Sequence, residues 1–405
     1  MDQQTVVKNV NILDLRKTPK EIFDKIRLIK NVNVLLLSPE TAGYLPGIPS
    51  KNINAVVEIN AEAETVACMS DLTINASYLS GVESPKFLVV MGRVIVEPDV
   101  TSELIGEKLA GIALMGKLIC PESVAGQLHS KAAMLMGKTI AYPKDAVLVT
   151  HSLTLDDAFL QSLDDGSYIV VSGSLRILDD VTNELIERKI KVLQAYGSIL
   201  CRQEHALVVK AKLANAGSMT VIPAEHRLVE GTLKLDDLTL QTLDNERLFC
   251  MGDIIIGDDV ESKALDRAVA KIESMGAILC PVRLKDILKT KCDMLGNRVI
   301  LYEGTLWYVD SDRQMVPAQF DYIEGLMTIV VRADLKIETD VLPESILERV
   351  AKIHNLGEIN CQVEHVPAIE ARLGIREGDV ITPKTDEADE DSEGPSIGNG
   401  NIMVL

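Results

Sequence analysis

One spacing constrains this chain more than any other property it has. The dipeptide Asp-Val recurs with its aspartate at Asp99, Asp180, Asp259 and Asp340, at intervals of 81, 79 and 81 residues. Seventeen residues after each aspartate comes a glycine (Gly116, Gly197, Gly276, Gly357), and four residues beyond that a cysteine (Cys120, Cys201, Cys280, Cys361). Landmarks kept in one order and at one distance four times over mean tandem units of about 80 residues, each meeting the same packing problem. A second glycine follows the first after 20 or 21 residues at Gly137, Gly217 and Gly296, and after 17 at Gly374, where the pattern drifts. The opening stretch from Asn11 to Glu58 fits the same template with Asn33 and Asn54 in the glycine positions, asparagine being the next most tolerant residue of the left-handed backbone region. Five units result, starting near residues 5, 87, 168, 248 and 328.

Between the aspartate and the first glycine, apolar residues fall at i, i+4 and i+7: Ile22/Ile26/Ile29, Ile105/Leu109/Ile112, Ile186/Ile190/Leu193, Leu265/Val269/Ile272 and Ile346/Val350/Ile353. That spacing predicts a helix buried along one stripe, stopped by the glycine or asparagine and capped at its start by the aspartate. Short β-branched segments precede each aspartate (Arg93 to Val96, Leu175 to Leu178, Asp253 to Ile256, Leu335 to Ile337), others end at the cysteines, and more follow the second glycine (Thr139 to Tyr142, Met219 to Ile222, Arg298 to Tyr302). A lone strand–helix coil cannot bury its apolar face, so successive coils must stack. The predicted fold is an α/β solenoid over residues 1–382, with parallel strands on one face and helices on the other. One aliphatic spine is expected to run through Ile105, Ile186, Leu265 and Ile346. Coil lengths agree, with 24 residues from Ile95 to Ile119 and 21 from Ile119 to Ile140.

These lengths, together with Leu-x-Leu-Asp-Asp-x-x-Leu at Leu153 to Leu160 and at Leu233 to Leu240, resemble leucine-rich repeats over those stretches, although the family's regular Asn position is absent. The resemblance implies a horseshoe-like or straight solenoid that binds proteins on its strand face.

Composition narrows the partners. With 41 basic against 60 acidic residues the net charge is −19, which opposes the counterion release that drives binding to DNA, RNA or anionic lipid. Aromatics at 3% leave few stacking platforms for single strands and require an aliphatic core. No apolar run approaches the ~20 residues of a bilayer span, so no membrane insertion is expected. The start Met-Asp-Gln-Gln shows no basic and apolar leader, and the seven cysteines are odd in number and lack a CxxC; reduced thiols and a cytoplasmic location are expected.

Candidate chemistry is sparse. The four register cysteines could bind zinc only if they met, and stacked equivalents should stand roughly 14–19 Å apart, so they read as small buried core residues. Glu-His pairs at Glu204-His205, Glu364-His365 and Glu225-His226 could serve acid–base work, yet other units carry Val124 and Leu284 at the His offset, which favours a structural turn. Acidic pairs such as Asp156-Asp157, Asp164-Asp165, Asp179-Asp180, Asp236-Asp237 and Asp258-Asp259 lack calcium-loop spacing and suit turns and helix caps. No phosphate-cradling loop, HExxH or GxSxG is present. No catalytic, cofactor or metal residues are assigned.

From Pro383 the chain turns acidic, then reads Ser396-Ile-Gly-Asn-Gly-Asn and ends in Ile402-Met403-Val404-Leu405. Residues 383–405 are expected to be disordered, with the apolar tip as a docking peptide that a partner captures by strand addition or by its carboxylate. The functional expectation is a non-catalytic scaffold for protein–protein interaction, its partners other proteins or itself. The alternatives are a self-assembling structural protein, and an enzyme with a site on the strand face.

Overall fold

The computed structural model describes residues 5–178, 180–215, 217–382 and 396–405. They form two compact bodies, Met1–Val221 with Ala388–Leu405, and Ile222–Glu387. Among the described residues no helix is long and apolar enough to cross a membrane.

The building block is a coil of two strands and a helix. In residues 86–130 the chain runs through strands Lys86–Met91 and Val94–Val96 and helix Ser102–Lys108, then repeats the order in Leu109–Met115, Leu118–Pro121 and Glu122–Ser130. Leu88 lies beside Ile112 and Val94 beside Leu118, both in parallel register. Ile95 pairs with Ile119 and Ile119 with Ile140, so the 24- and 21-residue coil lengths are real register steps. Each repeat therefore holds two small parallel sheets and a row of helices. The α/β class and the parallel strands agree with the sequence; strands, however, occupy two sides of each coil rather than one face opposite the helices.

The opening module differs. Its strands β1 (Thr5–Asp14), β2 (Ile26–Leu37) and β3 (Ser50–Glu58) form a single parallel sheet, joined by the short helices Lys20–Phe23 and Pro39–Ala42. Each strand carries one asparagine in a left-handed conformation: Asn9, Asn31 and Asn52, at φ 55–57°. The sequence places that conformation at Asn33 and Asn54, two residues too late.

The predicted helices are only half helical. Ile105 is in a helix that ends at Lys108, and Leu109 and Ile112 belong to the next strand; the same break follows Lys189, Ala268 and Arg349. Apolar residues at i, i+4 and i+7 fit a short helix running into an inward-facing strand as well as one long helix. Backbone pairing with both neighbouring coils decides for the strand. The first glycine is consequently no helix stop. Gly116 sits at the corner between two strands, where a Cβ would run into the carbonyl of Gly92 in the coil beside it, and a Cβ on Gly137 would meet Gly116 in turn.

Capping is also redistributed. Thr101 and Thr182 cap their own helices by accepting from the N–H of Leu104 and Leu185. Asp99 instead accepts from Ala76 N–H (3.2 Å) and Asp259 from Asp237 N–H (3.1 Å), each at the first turn of the preceding coil's helix. In these two units the repeated aspartate thus ties coil to coil.

Within neither body do the described residues share one spine. Ile105, Ile186, Leu265 and Ile346 lie in four separate cores. The stacks begin near residues 64, 147, 227 and 305, one coil before the expected starts at 87, 168, 248 and 328, because the first coil of each stack carries none of the landmarks. Within the first body, Ile95, Ile119 and Tyr142 on the outer face of one sheet pack with Val170 of the next stack; within the second, Ile255, Leu279 and Ile300 pack with Val330. Strands buried on both faces need near-continuous aliphatic sequence. That requirement accounts for 47% apolar residues with so few aromatics.

Candidate functional site

The chemistry-bearing residues of the repeats are occupied by packing. Cys120, Cys201, Cys280 and Cys361 are each buried in a different core. Burial pushes the first three thiols up to about 12 and Cys361 to about 11. Buried His205 places Nδ1 2.8 Å from Asn183 Oδ1. In His365, also buried, Nε2 lies 2.7 Å from the Val341 carbonyl, and Nδ1 accepts from Gln362 N–H at 3.2 Å. His226 Nδ1 lies 2.9 Å from the Ala224 carbonyl. The Glu-His pairs therefore stand at or beside the starts of helical segments and turns, with imidazoles turned into protein. Asp156 and Asp236 cap helices by accepting from Phe159 and Thr239 N–H, both at 2.7 Å. Among the described residues no group of three or more His, Cys, Asp or Glu could hold a metal ion.

The structure brings together a different set, at the outer edge of β1. Ser396–Val404, expected to be flexible, is a strand that runs parallel to β1, so that the sheet order is β3-β2-β1-tail strand. Residues 383–395 lie outside the described residues. An edge strand offers a row of unpaired N–H and C=O groups, and the tail is recruited by that template. Val6 pairs with Ser396, Val10 with Gly400 and Ile12 with Ile402. Of the four candidate docking residues, Met403 and Leu405 pack against the module's core, while Ile402 and Val404 remain 51% and 68% exposed. Leu405 N–H donates to Asp14 O, and Thr18 Oγ1 donates to Leu405 O. Asp14 itself is held by a buried pairing with Arg16, Nε to Oδ1 at 2.8 Å.

Two columns of amides run through this sheet. Asn52 donates to Asn31, Asn31 to Asn9 and Asn9 to Asn399, all at 2.9 Å. In parallel, Asn54 donates to Asn33 and Asn33 to Asn11 at 2.7 Å, and Asn11 to Asn401 at 3.0 Å. A shallow groove is lined by the amides of the three module strands and by Val10. Asn ladders of this kind add side-chain hydrogen bonds to every step of a strand stack. Asn399 repeats the left-handed backbone of Asn9, Asn31 and Asn52. None of the sequence expectations includes these columns, although their signal is visible: the triplet Asn-x-Asn at Asn9, Asn31, Asn52 and Asn399.

A second feature lies on the helix side of residues 305–381. Tyr322 and Leu342 flank its helical segments and Val363 opens one, and they are 88%, 62% and 50% exposed. No family model, curated protein or solved structure matches this chain.

Proposed function

We propose that the chain is a non-catalytic, cytoplasmic repeat scaffold that binds other proteins, as its likeness to leucine-rich-repeat solenoids implies. The observation that carries this reading is the exposure of Tyr322, Leu342 and Val363 on one repeat, together with that of Leu347 in helix Pro343–Arg349. Large apolar side chains left exposed on one repeat favour a protein contact, since their burial against a partner returns ~25 cal/mol per Å². The engagement of the register cysteines and histidines in packing supports the non-catalytic part of the reading.

The test is co-purification of the chain with its native neighbours, wild type against a Leu342→Glu/Val363→Glu variant. Loss of bound proteins with unchanged circular dichroism is the expected result. An identical set of bound proteins from both chains would remove the helix side as the contact surface.

A further inference from the structure

The amide columns have direction, and their two ends differ. Every amide donates its NH2 toward the tail strand, so among the described residues the ladders finish with the unused carbonyls of Asn52 and Asn54 on β3 and the unused NH2 groups of Asn399 and Asn401 on the tail strand. Among the described residues neither β3 nor the tail strand is paired on its outer side. Both outer strands expose apolar residues as well, Val56 on β3 and Ile402 and Val404 on the tail.

We propose that the partner of this sheet is a second copy of the chain, whose β3 adds in parallel to the outer edge of the tail strand and continues both asparagine ladders. Registers within the sheet fix the alignment. Ile12 pairs with Val34 and Val34 with Ala55, while Ile12 pairs with Ile402 on its other side. A second copy's Ala55 therefore stands beside Ile402, its Val56 beside Met403, and its Asn52 and Asn54 carbonyls accept from Asn399 and Asn401. The contact joins unlike surfaces of identical chains, a head-to-tail arrangement that extends with each added copy. It stands apart from the scaffold reading, which rests on the helix side of residues 305–381.

Engineered disulfides in the full-length chain test this. Asn11 and Asn401 are ladder neighbours in one chain. Asn54 and Asn401 are separated by β2 and β1, roughly 14 Å, which no disulfide within a chain can bridge. Under mild copper-phenanthroline oxidation, an N11C/N401C chain should close on itself. An N54C chain mixed with an N401C chain should form a covalent heterodimer, and adding Val56→Lys to the N54C chain should cut its yield at least tenfold, because a lysine on an edge strand opposes strand addition. Absence of the heterodimer while N11C/N401C closes internally overturns the proposal, as does a yield indifferent to Val56→Lys. Failure of N11C/N401C to close within one chain overturns the tail's seat on β1 and the proposal with it.

Discussion

The register cysteines show what a repeated residue does when its role is volume. A thiol held near 12 by burial carries about a thousandth of the thiolate of one at 9, and thiolate is the reactive species. In the folded chain Cys68, which is half-buried, should therefore be alkylated by iodoacetamide well before Cys120, Cys201 and Cys280. Mass spectrometry of the labelled protein reads the order, and equal rates would mean that the cores open freely. His354 is the other residue whose placement has a measurable consequence. It is buried beside Val330, neither ring nitrogen has a hydrogen-bond partner among the described residues, and burial together with nearby Lys352 depresses its pKa below 6.5. A base with a folded pKa below its unfolded one binds fewer protons when folded, so the stability it allows is complete above about 6.5 and is lost as the pH falls below that value. The melting temperature of a His354→Phe variant, relative to wild type, should rise between pH 7.5 and pH 5.5.

At the scale of the element, the glycines separate two reasons for one residue type. Gly116 occupies a corner where a side chain collides with the Gly92 carbonyl and the backbone stands at φ +153°, whereas Gly126 lies within helix Glu122–Ser130 with open space where a Cβ would point. Gly116→Ala should cost about 2–3 kcal/mol or more through strain and overpacking, while Gly126→Ala should add about 0.5–1 kcal/mol. Urea denaturation of the two variants against wild type checks both signs. Existence and order of helix and strand were legible in the sequence, because apolar spacing reports burial. The break after Lys108 was not, because a stripe of Ile105, Leu109 and Ile112 is compatible with a helix throughout, and only the pairing of Leu109 with Lys86 and Ile112 with Leu88 draws it out as strand. The Asp-Val landmark was likewise visible, but not its partner: Asp99 caps a helix 23 residues earlier.

For the whole molecule, separate cores predict separate responses. Leu265 is fully buried in the core of residues 235–292. Leu265→Ala should cost about 2–5 kcal/mol and raise amide hydrogen exchange mainly between residues 227 and 302, leaving residues 64–142 protected. A single spine through all repeats would instead spread the loss along the chain. The amino-acid sequence alone determined the repeat period, the coil lengths and the aliphatic, parallel-stranded character, since each follows from local spacing and composition. Tertiary structure decided that the repeats close around cores of their own, that their outer sheet faces are buried too, and that a segment far along the chain lies on β1. Those outcomes depend on which surfaces meet and on which edge a strand finds unpaired, and neither is encoded in the spacing of residues along one stretch.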